Sequence, residues 1–114
     1  MRTAEMHVNG TAHLLTCSAA VVAYIRSRER REGDEFDYLV DILCQMAHAG
    51  HMYARLTGLG DYPDLDRDTF LYTVDASEIA AYEQLAADLI TGDRTVDAAP
   101  PKNGEAAPAA APQN

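Results

Sequence analysis

The 114-residue sequence has no tryptophan, only two phenylalanines and only two cysteines. Cys17 and Cys44 are too few and too far apart to build a disulfide framework or a zinc ribbon, so we expect reduced thiols. No apolar run approaches the ~20 residues needed to span a bilayer. The first residues include Arg2, Glu5 and His7 and form no apolar signal-peptide core. These absences predict a cytosolic protein without membrane segments.

Basic residues are also scarce. The sequence has nine Lys and Arg residues but eighteen Asp and Glu residues, which gives a formal net charge of −9. This balance disfavours binding to a nucleic-acid backbone. The one basic cluster, Arg26, Arg28, Arg30 and Arg31, is typical of a helix C-terminus, where cations face unpaired carbonyl groups. We interpret it as such an end, because nearby carboxylates neutralise it: Glu29, Glu32, Asp34 and Glu35.

Catalytic signatures are absent. The sequence contains no Gly-rich phosphate loop, no Gly-x-Ser-x-Gly turn and no His-Glu-x-x-His pair. Paired carboxylates are frequent, but in so acidic a chain they usually form a solvated face. We therefore predict that the protein is not an enzyme and needs no cofactor.

One possible metal site lies within a helical pattern. Cys44, His48 and His51 are spaced at i, i+4 and i+7, which would offer three ligands to zinc or copper. The sequence identifies no fourth ligand, and Cys44 lies beside an apolar stripe. We predict no metal site and keep these three residues as the alternative.

The longest regular pattern in the chain runs from Phe36 to Leu56. Its apolar residues recur every three or four positions, which predicts one long helix that buries a single stripe. Asp34 is placed to cap its first turn, and Gly58 and Gly60 follow where the pattern stops. The predicted buried stripe is Phe36, Leu39, Val40, Leu43, Met46, Ala47, Gly50 and Ala54.

The pair Asn9-Gly10 predicts a β-hairpin at the N-terminus, because both residues tolerate the positive φ of a type I′ turn. The strands would be Ala4–Val8 and Thr11–Leu15. We expect one buried face, formed by Val8 with Thr11, Met6 with His13, and Ala4 with Leu15. The opposite face, with Glu5, His7, Ala12 and Thr16, should be wet. A lone hairpin is marginal in water, so it must pack on a helix or pair with another copy.

Three shorter helices complete the prediction. The first, capped by Thr16 or Ser18, turns Val21, Val22 and Ile25 inward. The last is opened by a capping box from Asp75 to Glu78 and closed by Gly92. Its inward residues are Ile79, Tyr82, Leu85, Ala86 and Leu89.

Between them, Asp64, Asp66 and Asp68 have the spacing of the first calcium ligands of an EF-hand loop. Thr69 occupies the position where that loop needs glycine, so we interpret Asp64 or Asp66 as a helix cap instead. The helix it would cap carries Phe70, Leu71 and Val74.

Together these patterns predict an α+β protein, mainly α: an N-terminal β-hairpin followed by about four helices around one long central helix. Residues 1–92 would form one small domain. Residues 93–114 are rich in Ala and Pro and lack aromatics, which predicts a disordered tail. Six tyrosines favour a protein-binding surface, because Tyr combines apolar area with a polar tip.

The order of these segments resembles a known family. The hairpin Met6-His7-Val8-Asn9-Gly10-Thr11 is followed by a short helix, a long helix over Tyr38 to Arg55, a segment from Asp66 to Val74, and a last helix to Ile90. This order is similar to that of the small tail assembly chaperones of long-tailed bacteriophages and prophages, encoded upstream of the tape measure gene. The resemblance covers Ala4 to Gly92.

The resemblance implies a helical, non-enzymatic protein of the bacterial host cytoplasm that coats the tape measure protein and recruits tail-tube subunits. It also implies a homo-oligomer. Many members also have a longer product made by a ribosomal frameshift, and the codons of Pro101-Lys102-Asn103 could form the slippery run that such a frameshift needs. From chemistry alone we expect Tyr38, Tyr53 and Tyr82 to contact the partner. The hairpin edge would mediate self-association through Met6, Val8, Thr11 and His13. The alternative is a small acidic adaptor or antitoxin-like regulator that masks a basic partner protein.

Overall fold

A computed structural model describes residues 1–98 and their side chains as far as residue 92. Within this range a two-stranded antiparallel hairpin precedes four α-helices, which confirms the predicted fold class. The elements are β1 Thr3–Val8, β2 Thr11–Thr16, α1 Ala19–Ser27, α2 Glu35–Thr57, α3 Arg67–Thr73, a 3₁₀ turn Ala76–Glu78, and α4 Ile79–Ala98.

The hairpin turn is formed as predicted. Asn9 and Gly10 have φ of 50° and 79°, and the register pairs Val8 with Thr11 and Met6 with His13. In β1 the expected alternation holds, because Met6 and Val8 are buried whereas their neighbours toward solvent are exposed.

In β2 the predicted alternation is wrong at two places. Thr11, expected inside, is exposed at the turn, and Thr16, expected on the wet face, is fully buried together with Leu14. The reason is that α2 packs along β2, so this strand is covered on more than one side.

Helix α2 meets β2 at Gly50. The carbonyl oxygen of Leu14 lies 1.8 Å from the position that a Cβ on Gly50 would occupy. Only a residue without a side chain allows the strand backbone to approach the helix this closely. Gly50 therefore fixes the point where helix and hairpin cross.

The buried stripe of α2 begins one turn later than predicted. Phe36 is 46% exposed, because the first turn of the helix is surrounded by charged side chains rather than by the core. From Leu39 to Ala54 the predicted stripe is buried, and Ile42 and Ala49 are buried beside it.

Asp34 is the N-cap residue of α2 by position, but its side chain makes no capping bond. Its carboxylate instead accepts a hydrogen bond from Arg28 at 2.7 Å. The prediction of the helix start is confirmed, whereas the predicted role of the carboxylate is wrong.

The caps of the later elements follow the prediction. Asp66 accepts a hydrogen bond from the amide of Thr69 at 3.0 Å and caps α3. Asp75 and Glu78 form the expected capping box. In α1, by contrast, Ser18 makes no side-chain cap bond, and Val22 is 37% exposed rather than inward.

Helix α4 does not end at Gly92 as predicted but continues to Ala98. The guanidinium of Arg2 lies where a Cβ on Gly92 would stand, so α4 packs close to the N-terminus. The predicted tail begins inside this helix, and its residues 99–114 lie outside the described range. No helix among residues 1–98 is long and apolar enough to cross a membrane.

Candidate interaction surfaces

The three tyrosines predicted to contact a partner are all half-buried. The ring of Tyr38 lies under two guanidinium groups, at 5.1 Å from Arg28 and 4.3 Å from Arg30. Such cation–π contacts hold the ring in place. Tyr53 lies near the C-terminal end of α2, and its binding role stays a prediction.

Tyr82 has a role within the chain. Its ring centroid lies 5.7 Å from that of buried Phe70, and its hydroxyl donates a hydrogen bond to the carbonyl of His7 at 3.2 Å. Burial also raises the pKa of the Tyr82 hydroxyl. The side chain links α4 to β1, and contact with a partner would compete with this link.

The residues predicted for self-association lie on the buried side of the hairpin. Met6, Val8 and His13 are at most 4% exposed, and only Thr11 of the four is exposed. Their side chains face the core of this chain. A strand-edge contact would have to use backbone groups instead.

Both edges of the hairpin are covered at one point. The pair that closes a two-residue turn is hydrogen-bonded and the pairs alternate, so the carbonyls of His7 and Leu14 point outward. Tyr82 donates to the first, and Gly50 of α2 lies against the second. Self-association through these edges remains a prediction, and the structure shows which groups would have to move.

The possible metal ligands are not arranged as a metal site. His48 Nδ1 donates to Asp64 Oδ1 at 2.7 Å, and His51 Nδ1 donates to the carbonyl of Tyr62 at 2.7 Å. Burial raises the pKa of the Cys44 thiol, which makes it a poorer ligand. Among the residues whose side chains are described, no group of three His, Cys, Asp or Glu residues could hold an ion.

His48 and His51, together with His13, have a role that the sequence did not predict. Three imidazole groups hydrogen-bond to three successive residues of the connection between α2 and α3. His51 binds Tyr62, His13 Nδ1 binds the carbonyl of Pro63 at 3.0 Å, and His48 binds Asp64. Because these contacts join residues far apart in the chain, no local sequence pattern predicts them. They hold the connection against α2 and β2.

A charged cluster joins α1, α2 and α3. Arg28 bridges Asp34 at 2.7 Å and Asp41 at 2.9 Å, while Arg67 pairs with Asp41 and, at 3.1 Å, with Asp37. The guanidinium of Arg28 holds the pKa of Asp34 below its ordinary value, and the carboxylates raise the pKa of Arg28. This arrangement supports the interpretation of Arg28 as part of a neutralised helix end.

The large apolar side chains that face solvent are different from those predicted. Tyr72 on α3 is 85% exposed, and Leu56 at the end of α2 is 80% exposed. Leu59, just beyond the left-handed turn at Gly58, is 54% exposed. Composition could not separate Tyr72 from the other five tyrosines, because exposure depends on which face of α3 packs inward.

Comparisons of the chain with protein-family models, with curated proteins and with solved structures gave no match.

Proposed function

We propose that the chain is a tail assembly chaperone of a long-tailed bacteriophage or prophage. In the cytoplasm of the host bacterium it would bind the tape measure protein, keep it soluble and help to recruit tail-tube subunits. The observation that carries this proposal is the element order: a hairpin, a short helix, one long helix, a short helix and a last helix. This is the order on which the resemblance to that family rests.

The exposed apolar side chains support a binding role. Leu56 and Leu59 are three residues apart on either side of the helix end and are 80% and 54% exposed. Exposed apolar groups of this kind are suited to the apolar face of an amphipathic helix. A net charge of −9 would keep such a protein soluble before its partner arrives.

Co-purification with a tape measure protein, which the proposal expects to be encoded beside this gene, tests the contact residues. We expect the double variant Leu56→Ser, Leu59→Ser to recover several-fold less partner than the wild type. Phe36→Ser is the matched control, because Phe36 is also exposed but lies at the opposite end of α2, about 30 Å away. Equal loss in both variants, or no loss in either, would overturn this assignment of the surface.

The alternative function is an acidic adaptor that masks a basic partner. It is supported by the concentration of negative charge in one part of the chain: residues 61–88 contain eight acidic residues and one arginine. A complex of this kind should dissociate as salt is raised, because screening weakens contacts between exposed charges. A complex that is insensitive to salt would count against this alternative.

A further inference from the structure

Most of the formal negative charge of the protein lies in the chain segment that contains α3. Residues 61–88 have a net charge of −7, which leaves −2 for the other 86 residues. The guanidinium of Arg67, the one basic group of the segment, is engaged by Asp37 and Asp41 of α2. The acidic residues are all exposed: Asp61, Asp64, Asp66, Asp68, Asp75, Glu78, Glu83 and Asp88.

An exposed aromatic side chain lies in the middle of this segment. Tyr72 is 85% exposed, the highest value among the large hydrophobic residues described. It cannot turn inward, because Phe70 of the same short helix is 1% exposed and packs on Tyr82, and two residues correspond to about 200° around a helix. Asp68 lies one turn before Tyr72 on the same face.

We propose that α3 and the acidic residues on either side of it form a docking surface for a basic amphipathic helix of a partner protein. Tyr72 would pack against the apolar stripe of that helix and under its cationic groups, and the carboxylates would pair with its Lys and Arg side chains. A second copy of this chain fits less well, since two molecules of charge −9 repel each other. The inference rests on the proposed partner-binding function and names the chemistry of the partner.

The test uses a labelled ~18-residue helical peptide of Leu and Lys as the probe, with binding measured by fluorescence anisotropy. We expect Tyr72→Ser to weaken binding roughly fivefold or more, the loss typical of truncating an aromatic contact residue. Tyr72→Phe should retain the affinity, and Asp68→Asn should weaken it. Raising the salt from about 50 to about 300 mM should weaken all of these complexes.

Phe36→Ser is the matched control, because Phe36 is also an exposed aromatic residue, 46% exposed, but lies on α2, outside residues 61–88. Wild-type affinity in this variant, with loss in Tyr72→Ser, supports the proposal. Equal loss in both variants, or none in Tyr72→Ser, overturns it. Light scattering on the free protein measures its oligomeric state. A dimer that dissociates in Tyr72→Ser would show that a second copy covers this face, and this result would also overturn the proposal.

The two proposals fail separately. If the peptide binds at Tyr72 but no complex forms with the tape measure protein, the docking surface is supported and the chaperone function is refuted. If Tyr72→Ser changes neither the complex with the tape measure protein nor the binding of the peptide, the chaperone function is supported and the docking surface is refuted.

Discussion

Replacement of Gly50 by alanine tests how the hairpin and α2 are packed. In the interior of an ordinary helix, Gly→Ala stabilises a protein by about 0.5–1 kcal/mol, because alanine loses less backbone entropy on folding. At Gly50 the new Cβ would lie 1.8 Å from the carbonyl oxygen and 2.5 Å from the carbonyl carbon of Leu14. Both atoms belong to the backbone of β2, so they cannot move without shifting the hairpin.

The separation would have to grow by more than 1 Å to reach ordinary contact at about 3.5 Å. Overpacking of this kind typically costs ~1–3 kcal/mol. Because the clash is with backbone atoms, we take the upper end of this range, about 3 kcal/mol. After subtraction of about 0.5–1 kcal/mol for helix propensity, we expect Gly50→Ala to lower the free energy of unfolding by about 2 kcal/mol. For a domain of this size the melting temperature should fall on the order of 10 °C.

Gly92→Ala is the matched control. A Cβ there would also meet a close atom, at 1.7 Å, but that atom is Nη1 of Arg2, the end of a flexible side chain. The guanidinium can move aside at little cost, so we expect Gly92→Ala to be neutral or to stabilise by up to about 1 kcal/mol. Urea unfolding followed by circular dichroism at the helix band measures both variants.

Opposite signs for the two substitutions would support the packing described here. If Gly50→Ala were neutral or stabilising, β2 could not lie against α2 at this point, and the covered edge of the hairpin would have to be reconsidered.

Three further predictions concern single groups. Tyr82→Phe removes the hydrogen bond to the His7 carbonyl and should cost about 0.5–1.5 kcal/mol in urea unfolding, with more self-association if the freed edge of β1 pairs; an unchanged midpoint would contradict the role of this hydroxyl. Because Arg28 lowers the pKa of Asp34 in the folded state, stability from this pair is present above the unfolded carboxyl pKa of about 3.8 and is lost as pH falls below it; Arg28→Met should therefore flatten the decline of the urea midpoint between about pH 5 and pH 3, and an identical decline would refute this coupling. Thr16→Val should be neutral or stabilise by up to about 1 kcal/mol, since the buried Thr16 hydroxyl has no hydrogen-bond partner among the described residues; a clear loss of stability would reveal a partner.

Local features of the fold could be predicted from the sequence. The Asn9-Gly10 turn and the register of the hairpin depend on two adjacent residues. The caps at Asp66 and Asp75 act within three residues of themselves. The period of α2 reports a buried stripe, whatever packs against it.

Features that depend on which elements meet could not be predicted. Asp34 has the sequence position of a capping carboxylate, but its carboxylate accepts hydrogen bonds from Arg28 instead of from the helix amides. The hairpin register places Thr16 on the face opposite to Met6 and Val8, but this position is buried because α2 packs along β2. His13 joins Pro63 across 50 positions, and no periodicity carries information at that separation.

The candidate contact surface was the least predictable part. Tyr38 and Tyr82 are suited to binding by residue type, but both are used within the chain. Tyr72 has the same chemistry and faces solvent, because the short helix α3 turns Phe70 inward instead. The side chains available to a partner become visible only once the inward faces are known.

The proposed function is tested most directly by the solubility of a tape measure protein, which the proposal expects to be encoded beside this gene. That protein should be expressed in bacteria with and without this chain, and the soluble and pelleted fractions compared. We expect the tape measure protein to be largely pelleted when expressed alone and largely soluble, in a complex that co-elutes on gel filtration, when this chain is present. A tape measure protein that partitions equally in both cultures, with no co-elution, would contradict it.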